Sequence, residues 1–597
     1  MKRLLFSILM VLVFATSSFG ALSATAVWEY NASSNAGNVN GGAFNPANPN
    51  MATDLTATSA TGDSPVVTSV SYTFISADTN HWVYVQAGAN WTPGWYEITS
   101  VSAGAATLKA AVGQALQGTA PYLAVNTVAG CATTASPTGG TWTVDYSQQT
   151  VNNSPYYLYT TDLTAASTTT ATSVTMGFGV NTIANTLHVT AGTSWTATNG
   201  WYEILSVAAG VATFSSALTG FPNANLGTGY LGGAISLGSS TVGRTDASVS
   251  GVQVAGNTTY LNPVAAFNLA ATFSPTIGTA TVPSYLVGYV TNRTIIPTGS
   301  DRPILSATGS YTTTLGANQI WKNLIITTAT NNTNANAMTT SGANNYIKNC
   351  KIFHGNVGAA AKVALNVSAI HSVKVVDSEI ITTGYDASCY AINVTTTAYP
   401  VSLGPGLWIH GTSGAASGTC VNYVTGGIRL FDSIIGPDCG VVGLNTAASN
   451  QSGIILGNTF FGPASATPTT QVGTGILSAG TAFDGWIISN NIFYGWTTAI
   501  NPNVIAYTSK SDWNDYYNNG TDIAGTPPYI VKGTNDLAVD PQFTSAPTDL
   551  SVGTNLKAMG VPGVSAFNGL STTHGYRDIG AVQRVESAAS GGGAWGF

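Results

Sequence analysis

Charge is what this sequence has least of. Asp, Glu, Lys and Arg make up 7% of its 597 residues, against roughly 25% in an ordinary soluble domain. No Lys/Arg cluster follows Arg3 and the net charge is −7, so there is no basic footprint for a phosphate backbone, and nucleic acid is excluded as a partner class. Long apolar runs are missing too. The single run, Leu4 to Phe14, is too short to span roughly 30 Å of hydrocarbon, and no membrane span is expected. The five cysteines, Cys131, Cys350, Cys389, Cys420 and Cys439, form no CxxC pair and no Cys/His cluster, which removes support for a zinc site. Their odd number leaves at least one thiol unpaired. Cys389 with Cys420 is the pair to test first in an oxidising compartment, with buried free thiols as the competing reading.

What is present is neutral and polar: Thr, Ser, Asn and Gly in abundance, with 44% hydrophobic residues to build a core. That mixture favours strands, turns and amide ladders over helices, and it argues against disorder. At the start, Lys2 and Arg3, the apolar run and a small-residue stretch through Ala24 stand in the order of a secretory signal peptide. Cleavage after Gly20 is expected, giving a signal peptide over 1–20 and a secreted or cell-surface protein.

The first half of the chain holds a duplication. Asp54-Leu55-Thr56-Ala57 recurs as Asp162-Leu163-Thr164-Ala165, and Trp95-Tyr96-Glu97-Ile98 as Trp201-Tyr202-Glu203-Ile204. The offsets, 162−54=108 and 201−95=106, are nearly equal, which means one module copied. After a lead-in over 21–53, the copies span 54–140 and 162–235. Alternation such as Trp82-Val83-Tyr84-Val85 makes each a small β-module, and the repeated aromatic pair reads as core in preference to a ligand patch.

The second half repeats a different unit. Ile347-Lys348-Asn349-Cys350-Lys351-Ile352, Val375-Val376-Asp377-Ser378-Glu379-Ile380 and Leu430-Phe431-Asp432-Ser433-Ile434-Ile435 all flank a central Asn or Asp with apolar residues. The series Asn323, Asn349, Asp377, Gly406, Asp432, Asn458 and Asn491 has neighbour differences of 26, 28, 29, 26, 26 and 33. Such a period of short strands marks a solenoid, in which each turn buries its apolar face on the next. The central residues are expected in one structural ladder at a bend between two strands. The phase then puts positions plus one and plus three inward and plus two outward. It therefore predicts an outward apolar file of Trp408, Ile434, Phe460 and Phe493. Such a file marks a contact site, covered by the chain's own loop between Phe461 and Ile487, by another subunit or by a stacked sugar chain.

Residues from about 250 to 585, with the β-helix itself over 250–530, resemble the right-handed parallel β-helix proteins of the pectate-lyase-like superfamily, including exported bacterial and phage-associated members with no assigned activity. Gly256-Asn257-Thr258-Thr259-Tyr260-Leu261 and Pro283-Ser284-Tyr285-Leu286-Val287 look like opening turns, and Asn490-Asn491-Ile492-Phe493-Tyr494 like a late rung. Asp540-Pro541-Gln542-Phe543 and Tyr576-Arg577-Asp578-Ile579-Gly580 look like the terminal cap, over 531–585, before a Gly-rich tail over 586–597. The resemblance implies an all-β fold, a right-handed parallel β-helix preceded by the two modules, and it assigns no activity.

The catalytic strings of the superfamily's polygalacturonase-like hydrolases are missing. His410-Gly411 follows Ile409 instead of Gly, and no two acids are adjacent. Lys351 and Glu379 share the plus-two position on neighbouring turns, a base beside an acid, with a surface ion pair as the plainer reading. Asp512, Asp515 and Asp522 are a weak calcium candidate; otherwise no cofactor or metal is expected. The function expected is binding or coating by a secreted β-helix, with polysaccharide or cell-surface glycan as ligand. The alternatives are a polysaccharide lyase or glycoside hydrolase of tailspike type and a structural surface or virion-associated fibre, with a homo-oligomer open in each.

Overall fold

The computed structural model describes residues 22–32, 40–57, 66–110, 137–148, 157–191, 200–218, 226–236, 253–262, 265–270, 272–273, 278–290, 293, 296–358, 361–368, 372–383, 386–395, 401–412, 418–424, 427–446, 453–462, 473–478, 485–502, 509–525, 530–546, 549–556, 559–560 and 578–582. The signal peptide, Cys131, Tyr576, Arg577 and the Gly-rich tail lie outside the described residues. No helix among them is long and apolar enough to cross a membrane. The chain divides into two compact units, residues 1–267 with 276–303 and residues 268–275 with 304–597.

The first unit contains two closed antiparallel barrels with the same strand order. One runs from Ala52–Ala57 to Thr138–Asp145, the other from Tyr157–Ala165 to Gly227–Gly232. Their repeated residues do the same work. Leu55, Tyr96 and Ile98 in one barrel and Leu163, Tyr202 and Ile204 in the other are buried in the core. Asp54 accepts hydrogen bonds from Ser69, Ser71 and Trp142, while Asp162 accepts them from Thr160, Ser173 and Thr175. Trp95 pairs across strands with Tyr84, and Trp201 with His188. Both indoles are nearly buried, at 5% and 6% exposure. The duplicated modules are these barrels.

The lead-in is more than a lead-in. Val27–Asn31 lies in a parallel sheet between Ile235–Ser236 and Thr258–Leu261, and Ser284–Gly288 follows. The barrels are thus inserted between a first strand and its sequence-distant neighbours.

The second unit is a solenoid of three parallel sheets. The first holds Gln319–Lys322, Asn345–Lys348, Val373–Val376 and their successors to Lys510–Asp512. After a bend, the second runs from Ile304–Ala307 to Asp515–Tyr517, and the third from Thr313–Leu315 to Thr521–Ile523. Because parallel pairing keeps the register turn after turn, each inward position becomes a file through the core. In the second sheet the file is Ile326, Ile352, Ile380, Ile409, Ile435, Phe460, Phe493 and Tyr516. Its aromatic end stacks at ring separations of 4.9 Å and 5.1 Å, close to the strand spacing of about 4.8 Å.

This register corrects the expected single ladder. At the bend between first and second sheets, one residue per turn has a left-handed backbone: Asn323, Asn349, Asp377, Gly406, Asp432, then Gly457, Asn490 and Trp513. Asn and Asp tolerate that conformation better than other side-chain-bearing residues. Asn458 and Asn491 therefore sit one place later than Asp432 and point inward, where they form a second ladder with Asn514. The slip of one reverses every facing after it. Phe460 and Phe493, expected outside, are core residues with 0% exposure, and Ile455 replaces Ile454 and Leu456 as the inward residue of its strand.

Thr459, Ile492 and Asp515 take the outward places instead. The C-terminal cap covers them: Ile492 packs with Val552, Leu556 and Ile579, and Ala581 N–H donates to Thr459 Oγ1 at 3.0 Å. The cap, part of the same chain, supplies this cover; most of the expected segment between Phe461 and Ile487 lies outside the described residues. The disulfide also differs from expectation. Cys420 joins Cys439, their Cα atoms 5.1 Å apart, while Cys350 and Cys389 are buried free thiols. Cys420 stands in the strand Thr419–Tyr423, and Cys439 lies just before Val442–Thr446, the strand that pairs with it on the next turn.

Candidate functional site

Upstream of the cap, the outer face of the second sheet is partly exposed over the strands from Lys351–Phe353 to Ile434–Ile435. Its outward residues on successive turns are Lys351, Glu379, Trp408 and Ile434, each paired in register with the next. A second outward position, two residues on, holds Phe353, Ile381 and His410. These seven side chains form one patch, because a parallel sheet sets like positions about 4.8 Å apart.

Trp408 is the most prominent member, 40% exposed. It is also held. Its Nε1–H donates to the carbonyl of Gly436 on the next turn at 3.1 Å, and its ring stacks on His410 with centroids 4.0 Å apart and planes 25° apart. Beside this pair, Glu379 Oε1 lies 2.9 Å from Lys351 Nζ and 3.2 Å from His410 Nε2. Burial by itself would raise the Glu379 carboxyl. Hydrogen bonds from His410 and Lys351, with the positive charge of Lys351, outweigh it and hold the group below its ordinary value. Glu379 is therefore an anion at neutral pH, an acceptor and not a proton donor.

Of the four binding residues expected from the sequence, the structure keeps Trp408 and the half-buried Ile434 on this face and removes Phe460 and Phe493 to the core. The Lys351–Glu379 pair forms. His410 was missed as a partner, although its place two residues after Trp408 gives it the same outward phase. A further ladder was missed on the third sheet, where Asn366, Asn393, Asn422 and Asn445 bond in series at 3.1, 2.9 and 2.9 Å. Its signal was an Asn between two apolar residues or an apolar residue and Thr, as in Leu365-Asn366-Val367 and Leu444-Asn445-Thr446.

The expected acidic cluster is not brought together. Asp512 bonds Asn535, Asp515 lies under the cap and accepts from Val539 N–H, and Asp522 pairs with Lys532. Among the described residues no group of three or more His, Cys, Asp or Glu side chains could hold a metal ion.

No family model matches the chain, and no curated protein matches it in sequence. Solved structures similar to it include three proteins. A pectate lyase matches at 12% identity and a TM-score of 0.39 over 57% of this chain and 90% of the lyase. The tailspike protein of a Pseudomonas phage matches at 11% and 0.23 over 65% of this chain and 64% of its own. The Dettilon tailspike protein matches at 12% and 0.22, over 47% and 63%. The chain's own register carries the assignment: with three parallel sheets stacked turn on turn, it is a parallel β-helix protein.

Proposed function

We propose that the protein is an exported β-helix that binds glycan on the outer face around Trp408. The observation that carries this reading is an exposed indole already fixed in place, by Gly436 on one edge and His410 on one face. A pyranose ring stacks its C–H face on such a ring, and a side chain ordered beforehand loses little entropy on binding. Glu379 supplies an acceptor for sugar hydroxyls and Lys351 a donor, beside the apolar Ile434 and Ile381.

The same geometry weighs against the hydrolase alternative. Glycoside cleavage by two carboxyl groups needs one that keeps its proton near neutral pH, and the carboxyl on this face is held ionised by its hydrogen bonds from His410 and Lys351. A glycan array probed with the mature protein, run beside reducing-end and unsaturated-product assays, tests the reading. Binding that Trp408→Ala reduces at least tenfold, without turnover, is expected. Binding unchanged by Trp408→Ala overturns it. Turnover that Glu379→Gln abolishes replaces it with an enzyme.

A further inference from the structure

We infer a second ligand site, for a neutral oligosaccharide, in a cleft of the first unit about 660 Å³ in volume. Small-ligand sites commonly measure roughly 300–1,000 Å³. The cleft opens where the first barrel meets the strands Thr258–Leu261 and Ser284–Gly288. Tyr84, Trp95, Tyr260 and Tyr285 give it aromatic walls, and Gln86 and Thr258 are among its polar groups.

Two features define the ligand. The first is charge. Every described residue lining the cleft is uncharged, although an ion cluster lies directly behind the wall. The Arg293 guanidinium sits 5.0 Å from the Tyr260 ring centre and 5.8 Å from that of Trp95. It is consumed there, with Glu29 at 3.0 Å, Asp145 at 2.5 Å and Ser147 Oγ at 2.7 Å. Trp95 Nε1–H donates to the same Asp145 at 3.0 Å. The cluster thus anchors the rings from the rear and shows no ionic partner to the cleft. An anionic or cationic ligand would shed hydration with nothing to replace it. A ligand with apolar ring faces and neutral hydroxyls suits aromatic walls set among threonine hydroxyls and a glutamine amide.

The second feature is the contrast between the barrels. In the second barrel the corresponding cross-strand pair, His188 and Trp201, lies flat together at 3.7 Å and 6° and both are buried. In the first, Tyr84 and Trp95 are tilted by 49° and Tyr84 is only half-buried. The duplicated scaffold closes this place in one copy and opens it in the other, at the cleft.

Titration calorimetry on the whole chain tests the site, with cellohexaose, maltohexaose and chitohexaose as neutral probes and hexagalacturonate as the anionic one. At least one neutral probe should bind, and Tyr285→Ala should weaken it at least tenfold. Thr281→Trp, which fills the mouth from an exposed position and removes no core group, should do the same with an unchanged melting temperature. Trp408→Ala should leave this binding intact, which separates the cleft from the face on the helix. The inference is overturned if no neutral probe binds, if both cleft variants bind like the parent chain, or if hexagalacturonate competes.

Discussion

Asn491 Oδ1 accepts two hydrogen bonds from Asn458, one from its backbone N–H at 2.9 Å and one from its Nδ2 at 3.0 Å. Asn514 Oδ1 repeats both bonds to Asn491, at 3.0 and 2.9 Å. Each amide thereby joins two turns through side chain and main chain at once, in a place closed to water. Asn458→Leu should destabilise the protein by roughly 1–3 kcal/mol, since backbone groups lose buried partners. Denaturant unfolding measures this, and an unchanged midpoint would count against the ladder.

Phe460 and Trp408, which the sequence pattern placed on one face, should respond oppositely to truncation. Phe460→Ala opens a cavity in the stacked core and should cost about 3–5 kcal/mol. Trp408→Ala should cost under about 1.5 kcal/mol and act on binding instead. Melting curves of the two variants side by side check the assignment of facing.

The solenoid was legible in the sequence because burial imposes its period. Apolar residues two and four before Asp377 and Asp432 do face the core, as expected. The last turns were misread because one letter serves two jobs: Asn323 and Asn349 occupy the left-handed bend, whereas Asn458 and Asn491 occupy the inward place after it. Only Gly457 and Asn490, just before them, betray the shift. The Trp408 patch was half legible for a related reason. Facing follows from phase, but the Glu379–His410 contact joins residues 31 apart in sequence, and the disulfide joins neighbouring turns through Cys439, which stands outside any strand and so outside the strand pattern.

Asp515 should give the stability a pH dependence. Burial is the main cause raising its carboxyl from 3.8 to about 7, against the hydrogen bond from Val539 N–H. The folded chain keeps this proton up to about pH 7, while the unfolded chain releases it near pH 4. Between those values the folded state binds more protons, so stability falls as pH rises, and it levels off above pH 7. Asp515→Asn cannot ionise and should remove that slope. The variant should match the parent near pH 4 and exceed it by about 1–3 kcal/mol at pH 8, read from unfolding curves at both.

Cys420 and Cys439 close a loop with a sequence separation of 19. Peptide mapping without reduction should recover these two as a linked pair and find Cys350 and Cys389 alkylatable only after unfolding. Cys439→Ser should cost about 3 kcal/mol. A Cys389–Cys420 link in the map would overturn the assignment.

The insertion of both barrels behind Val27–Asn31 has a consequence in time. This strand pairs with residues from Thr258 onward, a separation of 258−27=231 residues. At a synthesis rate of roughly 5–20 residues per second, it emerges on the order of ten to fifty seconds before that partner. Closing so long a loop carries an entropic cost that the neighbouring turns of the solenoid, about 26 residues apart, largely escape. The barrels, being local in sequence, are expected to form before this pairing closes. The N-terminal rung should therefore be the first part of its sheet whose hydrogen exchange speeds up when a barrel core residue such as Leu163 is truncated.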